Sequence, residues 1–485
     1  MKKLNNILFG TSCISVKGST DISVEHLSFD SRDIKPQTLF IAIKGTITDG
    51  HKYIQNAVSG GAYAVVCERL PDTCSNDVTY VVVKDSAEAL GIISANFYNH
   101  PSKKFQLIGV TGTNGKTTIA TLLHRLFTDL GYHTGLLSTI SISIKSQTST
   151  ATHTTPDALS LNRILAEMVQ ENVTHCFMEV SSHAISQKRI AGLSFAGGIF
   201  TNITHDHLDY HASFSDYLHV KKSFFDRLPK TAFALSNTDD LNGAFMLQNT
   251  KAKKYYYGIK KMADYKCKII ENHFEGINLL INQHNVWFKL PGEFNAYNLL
   301  AVYATAVLLG ENETNVLRGL SKLEPVEGRF QYFVGTGGVV AIVDYAHSPD
   351  ALKNVLNTIH AVRNGDEKLI TVIGCGGDRD KTKRPLMAKV AAEKSDVCVF
   401  TSDNPRSEDP NTIIQDMING LDIVSSKRVV QNNNRKEAIK MACTLAQKGD
   451  IVLVAGKGHE KYQEIMGEKQ DFDDMAVLKE FLLNN

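Results

Sequence analysis

Seven consecutive residues, Gly112-Thr113-Asn114-Gly115-Lys116-Thr117-Thr118, combine what phosphate binding needs. Backbone N–H groups of such a turn, with the N-terminus of a following helix, cradle an anion. Lys116 adds a mobile positive charge, and the Thr117 hydroxyl can ligate Mg²⁺. The general form of this loop has another glycine five positions before Gly115, and here that position is Val110. A second cluster, Glu179-Val180-Ser181-Ser182-His183, ends another apolar run and offers a carboxylate. Standing alone it would read as a strand-end acid in water. A third, Thr201-Asn202-Ile203-Thr204-His205-Asp206-His207-Leu208-Asp209-Tyr210-His211, is rich in histidine and aspartate. Zinc would want a HExxH spacing or supporting cysteines, and neither is present, so a Mg²⁺-associated phosphate site fits better. The last third holds Asp344-Tyr345-Ala346-His347, Gly374-Cys375-Gly376-Gly377-Asp378-Arg379, Asp403-Asn404-Pro405-Arg406 and Gly456-Lys457-Gly458-His459-Glu460. Each could be a capped turn, but all four follow apolar runs.

The elements that must position these clusters follow from the flanking pattern. Apolar runs at 107–110, 176–180 and 198–201, with an amphipathic stretch at 117–130, predict strands and a helix around the phosphate loop. Runs at 339–344, 369–373, 397–401 and 451–455 alternate with helical stretches, the pattern of a parallel α/β sheet. Loops after parallel strands gather at one edge, so the four late clusters should converge there. Before residue 101, runs at 38–43 and 62–67 read as strands, and 53–59 as a helix. Asn99-His100-Pro101-Ser102 reads as a linker, and Glu327-Gly328 precedes another change of pattern. Three domains are therefore expected, at 1–101, 102–328 and 329–485, which suits a chain of 485 residues. The region 251–287 is the least legible and is expected to be strand-rich.

Bulk composition narrows the class. Hydrophobic residues make up 43% and charged residues 21%, as in ordinary soluble proteins. With 52 basic and 51 acidic residues the net charge is +1, so no polybasic field invites nucleic acid or a membrane surface. The eight cysteines are scattered without a CxxC pair, as expected of reduced thiols in a cytoplasmic enzyme. Near the N-terminus Asn5 and Asn6 interrupt a short apolar run, so a strand or helix is expected there rather than an export signal.

Taken in this order, Gly112 to Thr118, Glu179 to His183, His205 to His211 and Asp344 to His347 resemble the Mur ligases. The resemblance extends to Asp30-Ser31-Arg32, to Leu290-Pro291-Gly292-Glu293-Phe294-Asn295 and to Arg384-Pro385-Leu386-Met387, and so spans essentially the whole chain. It implies an N-terminal α/β UDP-binding domain, a central P-loop ATPase domain and a C-terminal Rossmann-like α/β domain. Lys116, Glu179, His207 and Lys221 would be catalytic. Thr117, Glu179, His207 and a carbamylated Lys221 would surround Mg²⁺. ATP would meet Gly112, Thr113, Asn114, Gly115, Lys116, Thr117, Thr118, Asn298, Arg329 and Asp344. The UDP-linked precursor would meet Ser31, Thr46, Thr154, Thr155, Ser181, Gln187 and Arg189. Arg379, Asp403, Asn404, Pro405, Arg406, Gly456 and Glu460 would receive an amino acid. Asp403-Asn404-Pro405-Arg406 matches the form in members that add meso-diaminopimelate to a UDP-linked muramoyl dipeptide. A lysine-adding or folylpolyglutamate-type ligase is the alternative. The implied partners are small molecules alone, with neither nucleic acid nor membrane, and a monomer is expected.

Overall fold

The computed structural model describes residues 1–45, 48–150, 154–204, 206 and 210–483. The first residues form a two-residue strand, Lys2–Lys3, and a short helix, Leu4–Ile7, whose Leu4 and Ile7 are buried. A five-stranded sheet follows, in the order Cys13–Lys17, Thr79–Val83, Ala62–Cys67, Thr38–Ile41, His26–Ser28. Its first pair is antiparallel and the rest parallel.

The second sheet has a parallel centre of Thr134–Leu137, His175–Glu179, Gln106–Thr111, Gly197–Phe200, Phe233–Asn237 and Lys253–Gly258. Every residue of His175–Glu179 is buried, which explains the apolar run Cys176-Phe177-Met178 at its centre: a strand covered on both faces has no polar side to show. Ile108 and Val110 face one core with the helices Lys116–Asp129 and Glu293–Leu308, while Leu107 faces the other with Phe224 and Phe225. In Lys116–Asp129 the buried residues Ile119, Leu122, Leu123, Leu126 and Phe127 recur at helical spacing. The least legible region forms Lys253–Gly258, Tyr265–His273, Gly276–Ile281 and His284–Phe288, the last three joined antiparallel.

The third sheet runs Gln331–Val334, Val340–Asp344, Ile451–Ala455, Leu369–Ile373, Val397–Phe400, Val429–Gln431, parallel beyond its first pair. The expected strands are thus present with ends moved by a residue or two. Among the described residues no helix is long and apolar enough to cross a membrane.

One buried ion pair ties this third sheet together at its functional end. Arg435 and Asp474 are both 0% exposed in their side chains. The Arg435 guanidinium donates twice to Asp474, each at 2.7 Å, and also to Ser402 O at 3.2 Å and Ala455 O at 3.1 Å. Those carbonyls lie at the ends of the two strands that flank Leu369–Ile373. Two histidines of the second sheet's domain are largely withdrawn from water, His175 buried and His124 half-buried, and desolvation pulls both down to about 4.

Removing one member of a buried pair strands the other's charge, so Arg435→Met should cost about 3–5 kcal/mol in urea unfolding. Adding Asp474→Leu should restore most of it. The histidines give a pH test. Their folded-state values lie below the 6.5 of a free histidine. The unfolded chain therefore takes up protons that the native state refuses, and the stability they confer is present above about pH 6.5 and lost towards pH 4. A His124→Gln, His175→Phe variant should lose stability less steeply over that window, measured by denaturant titration at several pH values.

Candidate active site

A cleft of about 1630 Å³ is lined by residues of the second and third sheets together. On the side of the second sheet the phosphate loop leaves Gln106–Thr111 and enters Lys116–Asp129. Gly115 sits at φ +90, and a Cβ there would lie 2.7 Å from Asn298 Oδ1, so only glycine fits the turn. Asn202 braces the loop, accepting from Asn114 N at 3.0 Å and donating to Asn114 O at 3.2 Å. Lys116 Nζ donates to Gly112 O at 3.0 Å and Thr113 O at 2.8 Å. Desolvation lowers its pKa, and Arg329 adds to that, while Glu179 and Asp206 oppose it.

Glu179 is fully buried at its strand end. Its Oε1 accepts from Thr139 N at 2.7 Å, whereas its Oε2 has no hydrogen-bond partner among the described residues. An orphaned, buried carboxylate oxygen within reach of the Lys116 charge, in a cleft that Thr117 also lines, fits a hard divalent cation. Around Glu179 the expected precursor-binding residues form one connected group. Thr155 Oγ1 donates to Glu179 O at 2.8 Å, Arg189 donates to Thr155 O at 2.7 Å, and Thr139 Oγ1 donates to Thr154 Oγ1 at 3.1 Å. The Ser181 side chain caps the helix Ser182–Ser186. Gln187 does not line the cleft; its Oε1 accepts two bonds from the Arg189 guanidinium, at 3.0 and 2.7 Å.

The adjacent lysines at 221 and 222 part company. Lys222 pairs with Asp226 at 2.8 Å. Lys221, 1% exposed, turns to the loop and donates to Gly112 O at 2.8 Å. Burial holds its pKa well below the usual lysine range, and the neighbouring Lys116 charge lowers it further. Ser31 lies just after the strand His26–Ser28 and is not among the lining residues. Thr46 and His207 lie outside the described residues.

Several contacts join the phosphate loop region to the third domain. Arg329 donates to Thr117 Oγ1 at 3.1 Å, Asn114 Nδ2 donates to Asp350 at 3.3 Å, and Lys383 bonds the buried Asp206. Asp344, at the end of Val340–Asp344, accepts from Phe330 N at 2.7 Å and Ala346 N at 2.8 Å. Burial raises its carboxyl to about 6 against the pull of Arg329.

The remaining clusters do meet at one sheet edge. Arg406 takes φ +51, donates through its guanidinium to Gly377 O at 2.7 Å, and lies 3.5 Å from Glu464. It does not pair with its neighbours in sequence: Glu408 binds Arg384 at 2.8 and 3.0 Å, and Asp409 caps the helix Pro410–Ile418. Pro405 is not a lining residue, but its backbone nests against Gly377, where any Cβ would collide with it. Arg379, Asp403, Asn404, Gly456 and Glu460 line this end of the cleft, with Asn298 at the other. Asp350, Lys383 and Glu464 drew no notice in the sequence, whereas Asp206, Arg384 and Lys457 stood inside the runs quoted above without a role of their own.

Comparisons with known proteins identify the family. The Mur ligase family catalytic domain matches residues 23–98, the Mur ligase middle domain 110–306, and the Mur ligase glutamate ligase domain 328–458. A Cytophaga hutchinsonii protein named UDP-N-acetylmuramoyl-L-alanyl-D-glutamate--2,6-diaminopimelate ligase is 56% identical over 99% of both chains. A Bacteroides thetaiotaomicron protein of the same name is 54% identical, covering 98% of this chain and 99% of its own. A solved structure titled as that ligase superposes with a TM-score of 0.68 at 31% identity, over 97% of each chain. With matched domains in the order of its three sheets and relatives alike from end to end, the chain belongs to the Mur ligase family.

Proposed function

We propose that this protein joins meso-diaminopimelate to UDP-N-acetylmuramoyl-L-alanyl-D-glutamate in an ATP-dependent step of peptidoglycan biosynthesis. As a Mur ligase it is an amide-forming ligase. The observation that carries the finer reading is the shared cleft. The phosphate loop, the Thr154–Arg189 group and the Asp403 to Arg406 loop all face one cavity large enough for several substrates. Natural divisions near 101 and 328 separate a nucleotide-precursor unit, an ATP unit and an amino-acid unit.

The reaction follows from what these groups can do. ATP phosphorylates the D-glutamyl side-chain carboxylate, giving an acyl phosphate and ADP. The amine of the acceptor then attacks the acyl carbon, forming the amide and releasing phosphate. Such chemistry needs alignment and charge neutralisation more than a protein nucleophile. Lys116 and the loop N–H groups would hold the phosphates, with Asn298, Arg329 and Asp344 at the rest of the nucleotide. Thr154, Thr155, Ser181 and Arg189 would hold the muramoyl peptide, with Gln187 keeping the Arg189 fork in plane. Ser31 and Thr46 would reach the uridine end. Mg²⁺ would be held by Thr117, Glu179 and His207, with Lys221, and would neutralise charge on the transferring phosphoryl group. The low-pKa Lys221 amine suits carbamate formation, since the neutral amine adds CO₂ and releases a proton to leave an anionic oxygen donor.

Arg406 explains the choice of acceptor. Diaminopimelate differs from lysine by a carboxylate at its far end, and a guanidinium fork matches a carboxylate with two hydrogen bonds. Lysine would leave that fork without this partner, which is how such sites reject an analogue.

Two variants test the reading, with phosphate release as the assay. Lys116→Ala should abolish ligation while thermal unfolding stays near wild type; near-normal turnover would remove the phosphate-loop assignment. Arg406→Ala should lose the use of diaminopimelate by about 100-fold or more without a matching gain for lysine. Retention of wild-type preference would show that another group reads the distal carboxylate.

A further inference from the structure

Lys457 belongs to no group assigned above and does not line the cleft. It follows the strand Ile451–Ala455, between Gly456 at φ +115 and Gly458 at φ +55. A Cβ at 456 would lie 2.6 Å from Asp403 Oδ2, and one at 458 would lie 2.7 Å from Tyr345 Cβ. Only glycine allows the loop to close this tightly, and the closure turns the lysine inward until it is 0% exposed.

Its ammonium meets two acceptors, Asn404 Oδ1 at 3.0 Å and Glu460 Oε2 at 3.3 Å. Asn404 Oδ1 also accepts from Glu464 N at 2.9 Å. An ammonium and a backbone N–H can only donate, so the side-chain atom that meets both must be the amide oxygen. The Asn404 NH₂ is thereby committed to the other side, where it donates to Glu460 Oε2 at 2.8 Å. A flipped amide would set donor against donor twice. With Oε2 engaged by both Lys457 and Asn404, the other oxygen of Glu460, 3.4 Å from the Tyr345 hydroxyl, remains for a ligand amine in the cleft. The buried ammonium also offsets the Glu460 charge at the oxygen that Asn404 and Lys457 share.

We propose that Lys457 is a positioning residue for acceptor specificity: by fixing the Asn404 amide and the Glu460 carboxylate in one orientation, it sets affinity for the amino-acid substrate. This rests on the ligase reading above.

The test uses the full-length enzyme and KM values for diaminopimelate, ATP and the UDP-linked precursor. Lys457→Met should raise the diaminopimelate KM by about tenfold or more, the consequence of unsatisfied buried polar groups, while the other two KM values stay within about twofold. Because part of the effect is carried through Asn404, Lys457→Met added to Asn404→Ala should worsen acceptor KM by a smaller factor than Lys457→Met does in the wild-type enzyme. Should Lys457→Met fail to fold, Lys457→Gln keeps a donor in the slot without the charge, and its acceptor KM alone should rise. An unchanged acceptor KM, an equal rise for all three substrates, or fully multiplicative effects in the double variant would overturn the proposal. If wild type releases phosphate with another amino acid and not with diaminopimelate, the functional reading fails instead. The same variants on that amino acid then still decide the role of Lys457.

Discussion

Parallel pairing is the constraint on which the rest of this molecule depends. Once Gln106–Thr111, His175–Glu179 and Gly197–Phe200 run side by side in one direction, the phosphate loop, Glu179 and residues 201–204 must emerge at one edge. The same holds for Val340–Asp344, Ile451–Ala455, Leu369–Ile373 and Val397–Phe400 in the third sheet. No loop needs to search for its partners, because strand direction delivers them. What remains is to hold the strand ends in register and to set the two edges facing each other. Arg435 does the first, reaching Ser402 O and Ala455 O from one guanidinium. Arg329, Asp350 and Lys383 do the second.

The cost of this convergence is electrostatic. Lys116, Lys221 and Arg329 crowd the phosphate loop, and the lowered pKa values of both lysines register that crowding on top of desolvation. Glu179 and Asp206 relieve it only in part. Such a nest of cations is poised for a polyanion, and nucleotide binding would stabilise the native state by mass action as well as start the chemistry.

What could be read without coordinates follows a physical divide. The strand, turn and helix around Gly112 to Thr118 were legible because glycine, lysine and apolar periodicity act locally. The four late clusters were legible as a set because each closed a buried strand. The choice between Lys221 and Lys222 was not certain from the sequence, since adjacent helix positions differ only in the face they take. Gln187 looked like a ligand group and instead supports Arg189. Lys457 and Arg384 stood inside runs that were noted, but their roles were not legible for another reason. A lone charged residue reads as solvated surface, and only the fold reveals that each is nearly or wholly buried among acceptors.

The contacts that close the cleft also fix when it can come into being. Arg329 meets Thr117 across 212 positions of chain, Asn114 meets Asp350 across 236, and Asp206 meets Lys383 across 177. Closing loops of that length carries an entropic penalty that only preformed surfaces can offset. The central sheet, complete once the strand His284–Phe288 has formed, can assemble during synthesis while the third is still unmade. The working site is therefore a late product of folding, assembled by docking two finished bodies, and a ribosome must pass Glu460 before the whole cleft can exist.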